Sequence, residues 1–187
     1  DRAATYARLM ERFESEIEGP NFQLGEQGLR FQCRRDLGET VMLMPIAESN
    51  AARREWIKEA LDKYWGKSGL FRIEPEFVNT KRTGRRRPTT VQVEFTSSPI
   101  SHVTDGDRSV VHLTSSLKDD RFGLMINFAH ELGHVFGLPD CYVEFYDPSA
   151  QEHVYYEIDR SNLMCGLALE SRIPPETLKQ VIDGRCL

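Results

Sequence analysis

His130-Glu131-Leu132-Gly133-His134 sets two imidazoles four residues apart, with a carboxylate directly after the first. On a helix, positions four apart lie one turn above each other on the same face, so both rings can reach one metal ion. Glu131 then stands beside that ion, where it can take a proton from a zinc-bound water. Five residues of this kind recur by chance in unrelated proteins, but here the pattern runs on to Gly137 and Asp140. Gly137 breaks the helix and lets the backbone turn, so that a carboxylate three residues later can return to the same ion. Two histidines and one aspartate make three protein ligands and leave a fourth position for water, as in catalytic rather than structural zinc sites. The expected ligands are therefore His130, His134 and Asp140, with Glu131 as general base and Zn2+ as cofactor. Such a centre carries a net charge of about +1. Its water is less acidic than at a three-histidine site, and more of the proton transfer falls to Glu131.

These residues need a rigid frame, and the hydrophobic pattern supplies one. Asp119 and Asp120 open a helix that buries Leu124, Met125, Phe128 and Ala129 and runs to Phe136 before Gly137. Upstream, Ser49 and Asn50 offer N-caps for a long amphipathic helix carrying Trp56, Ile57, Ala60, Leu61, Tyr64 and Trp65. Strand character is read at Gly28–Asp36, Thr40–Ile46, Phe71–Val78, Thr90–Phe95 and Ser109–Thr114, with a hairpin turn at Asp36-Leu37-Gly38. An opening helix spans Arg2 to Glu18, with Tyr6, Leu9, Met10, Phe13 and Ile17 on one face. A long stretch after Gly137 reads as irregular. Pro174 and Pro175 then start a closing helix with Leu178, Val181 and Ile182 inward. Strands, helix, strands, helix, loop, helix is the order of an α+β domain with one twisted sheet.

The bulk numbers suit that frame. A chain of 187 residues with 40% hydrophobic and 28% charged residues is an ordinary globular domain. Its net charge of -5 argues against general polyanion binding. No apolar run is long enough for a membrane span. The chain opens at Asp1 rather than a methionine, which reads as a processed piece whose targeting sequence lies outside it. Cys33, Cys141, Cys165 and Cys186 form no CxxC pair. They are either two disulfides of an exported protein or four thiols of a cytosolic one, and the even count favours the first. Lys81 to Arg87 carries five cations in seven residues and reads as a solvated hairpin loop without the aromatic interleaving of a nucleic-acid site. His102 and His112 lack ligand spacing and read as surface or satisfied residues.

HExxHxxGxxD followed by Asn162-Leu163-Met164-Cys165-Gly166 resembles the signature and methionine turn of the metzincin clan of zinc endopeptidases. The aspartate in third place is most similar to the snapalysin-like small neutral proteases. Most clan members have a histidine there, and no Tyr follows Met164 by two positions. The resemblance implies a zincin fold: a twisted mixed sheet, a long backing helix, an active-site helix and a C-terminal helix after the turn. It places Met164 as an apolar floor under the metal. It also divides the chain into residues 1–30, a helical extension or pro-segment, and residues 31–187, the catalytic domain. In such a fold the places of Cys141 and Cys165 come close, which favours their pairing and leaves Cys33 for Cys186. Clan zymogens offer the alternative that Cys33 covers the zinc. Pro99–Thr104 would be the sheet edge that pairs with extended substrate.

The function so implied is that of a secreted or periplasmic zinc metalloendopeptidase, monomeric, acting on peptide or protein with neither nucleic acid nor membrane as partner. It includes the narrower case of an effector that cuts a single protein. The alternative is a zinc-binding recognition module or a latent, inactive homologue. Tyr142, Tyr146, His153, Tyr155 and Tyr156 lie between Asp140 and the turn, and any of them could donate a hydrogen bond to the developing oxyanion.

Overall fold

Alternating apolar residues build the sheet, and helically spaced ones cover a single face of it. The structure is a computed structural model that describes residues 2–18, 24–25, 27–66, 69–78, 90–104, 106–148 and 150–187. In chain order the elements are α1 (Arg2–Glu18), β1 (Gln32–Asp36), β2 (Glu39–Ala47), α2 (Ala51–Tyr64), β3 (Phe71–Val78), β4 (Val91–Thr96), β5 (His102–Thr104), β6 (Asp107–Thr114), α3 (Arg121–Phe136), β7 (Tyr142–Asp147), β8 (Glu152–Glu157) and α4 (Pro175–Arg185). This is a mixed α+β fold with a twisted mixed sheet and four helices among the described residues. The basic run at 81–87 lies outside the described residues.

The six-stranded sheet runs β1-β2-β4-β6-β5, with β3 on the other side of β2. Strands β3, β2, β4 and β6 are parallel, while β1 and β5 join antiparallel. β1 and β2 are linked by a two-residue turn at Leu37 and Gly38, with φ of 48° and 92°. Met42, Met44 and Ile46, with Phe71, Ile73, Val91, Val93, Val111 and Leu113, form one wall of the core. α2 and α3 form the other. Trp56 meets Phe128 edge-on at 5.5 Å and Trp65 meets Phe136 at 5.0 Å. The Trp65 indole N–H donates to the Ala129 carbonyl at 3.1 Å, so the one polar atom of that buried ring is satisfied next to His130. Asn50 caps α2 through Arg53 N–H, and Asp120 caps α3 through Gly123 N–H.

Three expectations are refined. Residues 142–157 are a separate hairpin, β7–β8, rather than irregular chain. The alternation of Tyr, Val and Phe there is ordinary strand composition, and Asp147 Oδ1 accepts Ala150 N–H at 3.2 Å in the connection. Pro99–Thr104 does contain the edge strand, β5. The strand expected from Gly28 begins only at Gln32, because Leu29 and Phe31 are engaged elsewhere. Leu29 N–H donates to Val135 O and Phe31 N–H to Arg185 O, laying this segment across the end of α3.

Two disulfides close the fold, Cys141–Cys165 and Cys33–Cys186, in the pairings expected. They belong to a non-reducing, extracellular type of environment. No helix among the described residues is long and apolar enough to cross a membrane. Cys33 is bonded to Cys186 and so has no thiol with which to cover a metal. With separations of 24 and 153 residues, chain-entropy loss assigns about 3 and about 5 kcal/mol to the two crosslinks. Urea unfolding of Cys141→Ala/Cys165→Ala and of Cys33→Ala/Cys186→Ala should show losses in that order. Losses below about 1 kcal/mol in both would contradict the role given to them.

Candidate metal centre

α3 ends in a Schellman motif that sets the geometry of the site. Gly137 has φ of 88°, Leu138 N–H donates to Gly133 O at 2.9 Å and Gly137 N–H to His134 O at 2.9 Å. A side chain at this φ is strained, which is why the break falls on glycine. The chain reverses through Leu138 and Pro139, and Asp140 returns to the histidines. Its Oδ1 lies 3.0 Å from His130 Nε2 and 3.2 Å from His134 Nε2.

The far side of each ring is occupied. His130 Nδ1 lies 2.8 Å from Leu163 O, and His134 Nδ1 lies 2.8 Å from Leu138 O. A carbonyl can only accept, so each Nδ1 carries the hydrogen and each Nε2 of the neutral ring presents a lone pair. Two such lone pairs, each about 3 Å from a carboxylate oxygen, repel it unless a metal ion or a proton lies between them. Metal bonds of 2.0–2.2 Å at tetrahedral angles set ligand atoms roughly 3.3 Å apart, close to the separations present. His130, His134 and Asp140 thus form a group that could hold a metal ion. Two imidazoles and a carboxylate suit zinc among other divalent transition ions.

The turn at 162–166 braces this group from below. Asn162 Oδ1 accepts Met164 N–H at 3.0 Å, and Asn162 O accepts Cys165 N–H at 3.0 Å. Two successive carbonyls of the turn then face the site: Leu163 O holds His130, and Met164 O accepts Cys141 N–H at 2.9 Å, next to Asp140. The disulfide Cys141–Cys165 fastens the same two segments. Met164 is fully buried, and its thioether fills the space a Cβ at Gly133 would need, between the two histidines of α3. Glycine at 133 is thus the counterpart of methionine at 164.

Glu131 is 4% exposed, and its Oε2 is buried without a hydrogen-bond partner. Burial raises its pKa, and the Asp140 charge adds to the rise while the nearby imidazoles oppose it. A buried acceptor with nothing to accept from is costly, and water or a substrate proton would satisfy it. Burial also works to raise Asp140, but in the metal-free protein hydrogen bonds from the imidazoles, when these are protonated at Nε2 as well, and their charge hold it below the usual carboxylate range. For His134 burial works downward, and the Asp140 hydrogen bond and charge outweigh it to give a raised pKa.

These residues floor a cleft of about 510 Å³. Ile100 to Val103 form one wall, and Leu138, Pro139 and Tyr142 the other. Of the five ring residues expected between Asp140 and the turn, only Tyr142 lines the cleft. Burial, then its hydrogen bond to Asp140, raises its pKa and keeps the hydroxyl protonated. Tyr155 stacks behind Tyr142 at 5.2 Å, Tyr146 and His153 pair farther out on the same hairpin, and Tyr156 stands on its opposite face. The residues that sequence reasoning missed act mostly through backbone, as Leu163 and Leu138 do. Arg108 and Arg185 are the exceptions. Arg108 donates to His134 O at 2.8 Å, and the buried Arg185 guanidinium donates to Phe136 O at 2.6 Å and to Gly25 O, capping the end of α3.

Compared with known proteins, the chain matches no protein-family model and no curated protein.

The wild type should retain one tightly held equivalent of Zn2+ after dialysis, and Asp140→Ala should lose it. Unchanged content in the variant would remove Asp140 from the ligand set. The pH dependence follows from the shifts. Without metal, the lowered Asp140 contributes stability above its ordinary value of 3.8, lost as pH falls through its folded pKa. The raised His134 contributes below its ordinary 6.5, lost as pH rises through its folded pKa. Metal needs both rings deprotonated. The Tm difference between zinc-loaded and chelated protein should therefore widen from about pH 6 to about pH 8. A gap that narrows would show that the histidines are not ligands.

Proposed function

We propose that this chain is a zinc-dependent endopeptidase of the metzincin type, nearest in motif to the snapalysin-like proteases. The observation that carries this reading is the unpartnered, buried Oε2 of Glu131 at the floor of a cleft whose other floor atoms are the His-His-Asp donors. A structural metal site has no use for a buried carboxylate beside its ligands, whereas a hydrolytic one does. The turn carrying Met164 under α3 also supports the resemblance.

A zinc ion in this donor set would supply Lewis-acid polarisation of a carbonyl and make water a stronger acid. The remaining chemistry belongs to the chain's own residues. Glu131 Oε2 takes a proton from the attacking water as its oxygen bonds to the amide carbon. It then gives that proton to the departing nitrogen, so that the peptide bond breaks to an acid and an amine. Burial brings the Glu131 pKa toward the range in which both transfers are feasible. Tyr142 holds Asp140 in place and keeps an O–H at the cleft wall, a donor for the carbonyl oxygen as it gains charge. β5 ends the sheet at the cleft wall, so its outer edge is open to an extended peptide that adds as a further strand.

Hydrolysis of a peptide library should be abolished by a chelator and restored by Zn2+. Glu131→Gln should keep its zinc yet lose at least about 100-fold in kcat. Zinc-loaded wild type that cleaves nothing would instead make the protein a binding module, and full turnover in Glu131→Gln would remove Glu131 as the base.

A further inference from the structure

His102 on β5 and His112 on β6 stand directly opposite each other across the antiparallel pair, and Glu94 on β4 is the register partner of His112 on its other side. Along β4 and β6 the core residues Val93, Val111 and Leu113 alternate with Glu94 and His112. The row Glu94–His112–His102 therefore crosses the sheet on the face turned away from α2 and α3. Opposed residues in such a pair hold their Cβ atoms about 5 Å apart. The two rings stack at 4.8 Å between centroids, 20° from parallel.

Each ring turns its Nδ1 toward an oxygen. His102 Nδ1 lies 3.3 Å from Ile100 O, and His112 Nδ1 faces Glu94 Oε2 at 4.0 Å. With its Nδ1–H directed at the Ile100 carbonyl, His102 offers Nε2 as its lone pair, as His130 and His134 do, while Glu94 stands beside His112 beyond hydrogen-bond distance. A carboxylate one strand over, as Glu94 is, becomes the outer partner that orients a ligating histidine once it closes to hydrogen-bond distance. We propose that His102 and His112 form a second, weaker site for a divalent transition ion through their Nε2 atoms, with Glu94 orienting His112.

Bonds of 2.0–2.1 Å at a tetrahedral angle set two Nε2 atoms roughly 3.4 Å apart, and the near-parallel rings must rotate out of their stack for both lone pairs to meet one ion. Water completes the shell, since the His112 side chain is 22% exposed. Two imidazoles select zinc, nickel or copper over calcium and magnesium. With two protein ligands against three, this site fills after the His-His-Asp centre. Because His102 also lines the cleft, occupancy fastens the edge strand β5 to β6 and places a cation at the cleft rim. This inference stands independently of hydrolysis.

Equilibrium dialysis of the full chain against Zn2+ should show two equivalents of distinct affinity. His102→Asn and His112→Asn should each abolish the weaker one and leave the tight one. Glu94→Gln should weaken it roughly 10-fold, and Asp140→Ala should lose only the tight one. Circular dichroism identifies any variant that fails to fold, and the remaining variants then decide. Binding of a single equivalent by wild type, or a weaker equivalent that persists in folded His102→Asn or His112→Asn, overturns the proposal.

Discussion

Three electron-rich atoms converge at the centre of this molecule: the Nε2 atoms of His130 and His134 each stand about 3 Å from the Oδ1 of Asp140. Nothing local favours that meeting. It persists because the opposite side of each ring is already committed to a backbone carbonyl. The ligands are thus oriented before any ion arrives, and an ion gains the full benefit of their convergence. The deep shift of Asp140 is the protonic counterpart of the same attraction.

Most of the tertiary structure serves to hold the C-terminal half of α3 still. Trp65 grips it from α2, Arg108 from β6, and Arg185 from α4 at the terminal carbonyl. Gly25, Leu29 and Phe31 are tied to the ends of α3 and α4 by main-chain hydrogen bonds, and Cys33–Cys186 secures this stretch from outside. Burial, with the like charges of Arg30 and Arg108 nearby, lowers the pKa of Arg185, while the carbonyls at the negative end of the helix dipole favour its charge. The N- and C-terminal parts of the chain thus converge on the helix that carries the chemistry. α1, from farther upstream, reaches the β7–β8 hairpin through a Tyr6–Asp147 hydrogen bond.

The cleft takes its two walls from elements with different support. The β5 wall belongs to the main sheet and is backed by β6. The Tyr142 wall belongs to a two-stranded hairpin outside that sheet, tied to the site by Cys141–Cys165 and by the hydrogen bond from Cys141 to Met164. Removing that crosslink loosens one wall and one ligand together, since Asp140 adjoins Cys141.

What the sequence determined by itself is everything encoded at short range. The spacing of His130, His134, Gly137 and Asp140 is a helix repeat plus a helix break, and both are local physics. α2, α3, the parallel strands and the Leu37-Gly38 turn were legible for the same reason. Both disulfide pairings came from the resemblance of the motif and its methionine turn, not from the residues alone. Only the tertiary structure decided which carbonyls receive the imidazole protons, because a carbonyl is present at every residue and carries no signature. It alone singled out Tyr142 among five aromatic candidates, and assigned residues 28–31 to the end of α3 rather than to the sheet. The alignment of His102 with His112 was equally hidden. Ten residues apart, they meet only because β5 and β6 pair in one register, and register is set by burial across the whole sheet.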